Sequence, residues 1–146
     1  MQHRFLNLSL LLIRLFVGLV MVYYGSQKLF GAFGGPGFMG TLKLFETWLK
    51  IPPVLTTIDI FVEFFGGLAL IFGFLTRLAA LGVASVMAVA TALFLKEFPL
   101  VLVGAKNNPM RDIAFPAAFC VMALVLLMLG PGSYSLDVKL FGKRGR

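Results

Sequence analysis

Four stretches of this chain, about residues 8–30, 57–75, 78–95 and 113–129, are apolar for long enough to cross a lipid bilayer. That fact limits the fold more than any motif does. A spanning helix needs about 20 apolar residues. Inside hydrocarbon every backbone N–H and C=O must find a partner within the protein, so such segments are helices unless they close into a barrel. The expected fold is therefore all-α, an integral membrane four-helix bundle. Composition agrees: 60% of residues are hydrophobic and 13% charged, and the mean hydropathy is +0.97. A soluble domain is apolar at only about 45–50% of its positions. With 146 residues, four spans and their connections fill the chain as a single domain.

The first stretch, Leu8 to Phe30, is interrupted by Arg14, Gln27 and Lys28. It is too long for the apolar core of a signal peptide, about 7–15 residues, and the glycine-rich sequence after it lacks a clear small-x-small cleavage site, so it is expected to remain as a span. Residues 31–40 read GAFGGPGFMG, a loop rich in glycine and proline. Thr41 to Lys50 follows as an interfacial loop or short amphipathic helix, with Leu42, Phe45, Trp48 and Leu49 on one face and Pro52 and Pro53 as its stop. Only Thr76 and Arg77 clearly separate the second and third spans, which predicts a tight antiparallel hairpin. The fourth span stops at Gly130–Gly132, and a basic tail, residues 137–146, carries Lys139, Lys143, Arg144 and Arg146.

The net charge of +7 sits mostly at span ends and in the tail. Anionic lipid headgroups account for it, and nucleic acid is not expected. Four spans put both termini on one side of the membrane. Basic residues divide almost evenly between the two faces, six near the termini and the 2–3 turn (Arg4, Arg77, Lys139, Lys143, Arg144, Arg146) and six opposite (Lys28, Lys43, Lys50, Lys96, Lys106, Arg111). The clustered tail favours cytoplasmic termini. Cys120 is the single cysteine, which excludes a disulfide within the monomer. His3 is the single histidine and precedes the first span. No intramembrane imidazole exists to ligate haem, copper or zinc, so no metal site and no intrinsic cofactor are expected.

Ionisable groups at membrane depth are costly, about 2.5–3.5 kcal/mol at a helix centre on insertion scales, and each needs a reason. Glu63 lies inside the second span with Asp59 four residues earlier on the same helical face. Counting about 1.5 Å of rise per residue along antiparallel neighbours sets Glu63 near the level of Tyr24 and Asp59 near Lys28. Tyr24, Gln27 and Lys28 share a stripe of the first span. Asp112 enters the fourth span at the same face of the membrane, and Thr91 lies at a comparable depth on the third. Two readings stay open. In one, Lys28 neutralises Asp59 or Glu63 and the cluster fixes helix order. In the other, these groups border a pocket for an amphipathic ligand, or Glu63 accepts and releases a proton. Arg14 lies nearer the opposite face and is expected to snorkel to headgroups or phosphates. Arg77 is a second candidate for lipid phosphate. Gly18, Gly25, Gly66, Gly67 and Gly73 are read as packing positions.

The run RLFVGLVMVYYGSQKLFGAFGG, then EFFGGLALIFGFLTRLAAL, and finally GPGSYSLD resemble the DoxX and DoxD group of bacterial four-helix membrane proteins. The likeness extends from about Arg14 to Asp137. It points to Arg14, Gly25, Gln27, Lys28, Gly34, Gly35, Glu63, Gly66, Gly67, Thr76, Arg77 and Asp137. Two positions depart from it. Many relatives carry histidine where this chain has Tyr24, and many carry glutamate where it has Ala114, two residues before Pro116; Asp112 supplies a nearby carboxylate. The resemblance implies a protein of the bacterial inner membrane. Relatives are described as quinone-reducing subunits of thiosulfate oxidation, or as membrane partners of enzymes acting against oxidative and thiol stress. It therefore implies a component of a quinone-linked redox or stress system, with a quinone as substrate or ligand. A non-catalytic scaffold for partner enzymes, or a homo-oligomer, is the alternative. A small proton-coupled transporter ranks below both, because small exporters place their key carboxylate in the first span rather than the second.

Overall fold

The computed structural model of the chain describes residues 2–97 and 109–142. The first span is α1, Gln2–Phe30. A 3-10 turn at Ala32–Gly34 leads into α2, Gly37–Trp48. The second span, Pro53–Phe72, is built from α3 (Pro53–Phe61), a π-helical turn (Val62–Gly66) and α4 (Gly67–Phe72). The third is α5, Thr76–Glu97, and the fourth is α6, Pro109–Leu129. A short α7, Leu136–Phe141, closes the described chain. Three of these helices are long and apolar enough to cross a membrane; the fourth contributes the shorter apolar helix Ile113–Leu129. The fold is an all-helical membrane bundle with no strand among the described residues. Asp112's side chain and residues 143–146 of the basic tail lie outside the described residues, as do Lys106 and the side chain of Arg111.

Glycine decides how the first two spans meet. A Cβ on Gly67 would lie 2.8 Å from the Gly18 carbonyl oxygen and 2.8 Å from the Val22 nitrogen, and one on Gly25 would lie 2.6 Å from the Phe64 nitrogen. The two backbones are in direct contact, as helices in lipid achieve only with small residues at the crossing. Spans 2 and 3 meet at a second, looser crossing, where a Cβ on Gly82 would come within 3.2 Å of Val62 Cγ1 and one on Gly66 within 3.5 Å of Val83 Cγ2. The core between the spans is filled by Val17, Met21, Leu70, Ala80, Val83, Met87, Phe119, Ala123 and Leu126, all buried. The outward face is apolar, with Leu12, Phe16, Leu19, Phe72, Leu78 and Val121 exposed, which in a bilayer is the face turned to lipid.

The hairpin between spans 2 and 3 departs from a simple two-residue turn. The second span ends at Gly73 in the left-handed conformation (φ 67°), and Leu75 also has positive φ (47°) before α5 begins at Thr76. The interfacial segment forms the helix α2. Leu42, Phe45 and Leu49 are half-buried, whereas Trp48 is 78% exposed.

The two crossings make different demands. Overpacking a close contact costs about 1–3 kcal/mol or more. Gly67→Val is therefore expected to lower the melting temperature in mild detergent well below wild type. Gly66→Ala, whose Cβ meets only ordinary contacts, should change it little. Similar shifts for the two variants would remove the argument for backbone contact at Gly67.

Candidate functional site

Polar groups gather at two ends of the bundle, and each end has its own structure. At the end away from the termini, the Lys28 ammonium lies 2.8 Å from Asp59 Oδ2 and 2.8 Å from Glu63 Oε2. The contact to Asp59 is a hydrogen bond donated by Nζ. The contact to Glu63 is an ion pair at the same distance without hydrogen-bond geometry. Glu63 is the most buried of the three, its side chain 6% exposed, against 19% for Lys28 and 18% for Asp59. Asp59 and Glu63 stack because they are four residues apart. Glu63 opens onto span 1 from within the π turn Val62–Gly66. Such single wide turns recur at functional sites. Here Gly25 allows it, because a side chain at that position would strike the backbone of Phe64 in the middle of the turn.

The ammonium is covered from the outside by α2. The Phe45 ring centroid lies 5.2 Å from Lys28 Nζ, within cation–π range. Thr41 is 1% exposed, and its hydroxyl donates to the Gly37 carbonyl at 2.8 Å and lies 3.4 Å from the Lys28 carbonyl. Gly35 rests directly on the backbone of Gln27, where a Cβ would come within 2.5 Å of the carbonyl oxygen.

Tyr24 and Gln27 of the expected stripe, and Thr91 at the matching depth of the third span, make no hydrogen bond to the centre among the described residues. Tyr24 points to the seam with the fourth span, its ring 5.3 Å from that of Phe115 and 5.4 Å from that of Tyr23. Gln27 is half-buried, and among the described residues its side chain has no hydrogen-bond partner. Thr91 donates its hydroxyl to the Met87 carbonyl of its own helix at 2.7 Å. The centre is thus Lys28, Asp59 and Glu63, with Phe45 and Thr41 as its cover. Those last two were missed because their role depends on how α2 folds back, which no periodicity encodes.

At the end nearest the termini, Arg14 corrects the expectation of snorkelling. It is 2% exposed. Its guanidinium donates to the Pro131 carbonyl at 2.7 Å and to the Tyr134 carbonyl at 2.6 Å. Gly73 makes room for it: a Cβ there would lie 2.7 Å from Arg14 Nη1. The loop carrying those carbonyls is tied down further. Ser133 N–H donates to Asn7 Oδ1 at 3.1 Å, and Ser135 caps α7 through the Val138 N–H. Asp137 Oδ1 accepts from the Leu75 N–H at 2.7 Å and Oδ2 from the Thr76 N–H at 2.8 Å, placing a carboxylate at the first turn of the third span. Arg77 is exposed and lies against Gly130, where a Cβ would be 3.4 Å from its guanidinium. The GPGSYSLD block is therefore a latch joining the first span, the 2–3 turn and the end of the fourth.

Comparison with known proteins places this arrangement. The DoxX family profile matches residues 9–96. This chain belongs to the DoxX family. The match holds the first three spans, the Lys28–Asp59–Glu63 centre and Arg14. The chain is also similar to inner membrane protein YqjF of Escherichia coli (strain K12), with 34% identity over 121 residues, covering 82% of this chain and 75% of that protein. No solved structure matches it. With the apolar helices, these likenesses identify a DoxX-family protein of the inner membrane.

Removing one member of a buried ion pair is more damaging than replacing the whole group, by about 3–5 kcal/mol, because an uncompensated charge stays behind. Lys28→Met alone is expected to lose most of the folded, monodisperse protein. Adding Asp59→Asn and Glu63→Gln should restore it, as read by size-exclusion profile and thermal melting. At the other end, Arg14→Leu strands two carbonyls. It should expose the 130–142 segment to limited proteolysis while the far end stays protected.

Proposed function

We propose that this DoxX-family protein is a proton-handling membrane component of a quinone-linked redox or oxidative and thiol-stress system, and that Glu63 carries the proton. The observation that supports this reading is the charge count of the centre: two carboxylates share one ammonium inside the bilayer. Fully ionised, the group holds one negative charge more than it balances, and low dielectric makes that surplus expensive. A proton on the more buried carboxylate removes it. A brace alone would need only one acid for one base.

Two-electron reduction of a quinone to a quinol consumes two protons, and a carboxylate that loads and unloads a proton inside hydrocarbon suits that chemistry. In this reading Lys28 holds the pair of acids together, Asp59 fixes the ammonium by its hydrogen bond, and Glu63 exchanges the proton. The electrons come from a protein partner or a small reductant. The quinone itself enters through the family resemblance, and the geometry supports the proton-handling part of the reading. The termini are assigned to the cytoplasm and the centre to the opposite half of the bilayer.

A scaffold for partner enzymes is the second reading, and one feature favours it. An apolar groove of about 440 Å³ runs between spans 2 and 3, where Gly66, Ala69, Ala79 and Gly82 leave room beside Phe61 and Phe65. Small residues facing lipid suit the approach of another helix.

Glu63→Gln separates the two. In proteoliposomes containing a quinone and a sulfur reductant, with the chain's membrane partners present, proton-coupled quinone reduction should fall about 100-fold, the scale of losing a general acid–base group. Co-purification of partners should be unchanged. Full turnover in a folded Glu63→Gln protein would rule the proton role out.

A further inference from the structure

We infer that α2 is a hinged lid over the Lys28–Asp59–Glu63 centre, and that its lifting is what connects the centre to the aqueous face. The inference rests on the proton-exchange reading for its purpose and on geometry for its existence. A buried carboxylate that exchanges a proton with water needs a route, and α2 is what lies over the ammonium. Among the described residues the cover packs on the first and second spans and makes two polar contacts to span 1. Phe45 meets the ammonium through its ring face, and Thr41 reaches span 1 only through a 3.4 Å contact to the Lys28 carbonyl, its shorter hydrogen bond staying within α2.

Both ends of α2 are built to bend. On the N-terminal side Gly31, Phe33, Gly34 and Gly37 all have positive φ, between 53° and 77°. On the C-terminal side Lys50 has φ 55°. Left-handed residues at both borders of a rigid helix are where a hinge motion concentrates its dihedral change, and for Phe33 and Lys50 the present conformation is itself a strained one. Between the N-terminal hinge residues, Gly35 is pinned against Gln27 with no room for a side chain. The pivot is therefore fixed to span 1, while the helix beyond it rests on the bundle through buried Thr41 and half-buried Leu42, Phe45 and Leu49. Glu46 and Lys43 lie on the exposed side of α2, so they do not bind it to the centre.

The test uses Thr41, which is 1% exposed on the inner side of the lid itself. Thr41→Cys is made in a Cys120→Ser background, reconstituted in liposomes, and treated with a membrane-impermeant maleimide; Glu46→Cys serves as the exposed reference. Thr41→Cys should react much more slowly than the reference yet to completion. Adding Phe45→Ala should speed it about tenfold, the effect of losing a desolvated cation–π contact, and Phe45→Tyr should leave it unchanged. Reaction as fast as the reference, no reaction over hours in any variant, or a rate indifferent to Phe45→Ala would each overturn the lid. Equal melting temperatures for the Phe45 variants exclude general loosening. Because labelling needs no turnover, a failed lid leaves the Glu63→Gln result standing, and a working lid survives a negative result there.

Discussion

The backbone contact between the first two spans governs the rest of the molecule. Gly18 against Gly67 and Gly25 against Phe64 bring the helices as near as two helices can come. That proximity fixes their axial register, because neither helix can slide without driving a side chain into the opposing backbone. Register in turn sets Lys28 beside Asp59 and Glu63. In water such pairing would be weak and screened. In lipid a mis-registered pair would leave carboxylates stranded, so the glycines and the charges enforce the same arrangement from two sides.

The π turn belongs to this logic. A regular α-helix carries its facing stripe steadily around the axis, whereas one wide turn at Val62–Gly66 resets it. Buried Ile60, Glu63, Gly67 and Leu70, spaced by three and four residues, lie along the inward side of the second span, and the wide turn falls among them. The missing Cβ of Gly25 is the space in which the wide turn sits. Glu63 and Gly25 are coupled through packing without touching as a pair of functional groups, which explains how a glycine can belong to a motif otherwise made of polar residues.

How much of this could be read from the sequence follows from which interactions are local in physical terms. Apolar length gave the spans, and constant helical rise matched Lys28 to the acids, since both quantities add up along the chain independently of packing. The azimuth of each helix does not. Tyr24 and Lys28 share a stripe by counting, yet Tyr24 turns to Phe115. Arg14 was misread because snorkelling is the common fate of an arginine near a span end, and its true acceptors, the carbonyls of Pro131 and Tyr134, are backbone groups more than a hundred residues away. Backbone acceptors leave no trace in side-chain identity. A clue was present in the GPGSYSLD block, where two glycines and a proline interrupt the helix and free carbonyls for a donor.

The two polar ends then divide the residues that the family resemblance singles out. Arg14, Thr76 and Asp137 serve the latch, with Arg77 beside it; Gly25, Lys28 and Glu63 build or admit the centre, and Gly35 seats its cover. Their charge balance differs in kind. In the latch, Arg14 is spent on carbonyls and Asp137 on the N–H groups of Leu75 and Thr76, so each charge is met by fixed backbone dipoles. Fixed dipoles cannot be loaded or unloaded, and such an end is suited to holding helices in place. In the centre, one ammonium is shared between two carboxylates, only one of which it hydrogen-bonds. A shared cation can shift toward either acid as the other gains or loses a proton, at little geometric cost. The difference suits the end near the termini to holding helices in place, and it is consistent with the proposed exchange of a proton at the other end.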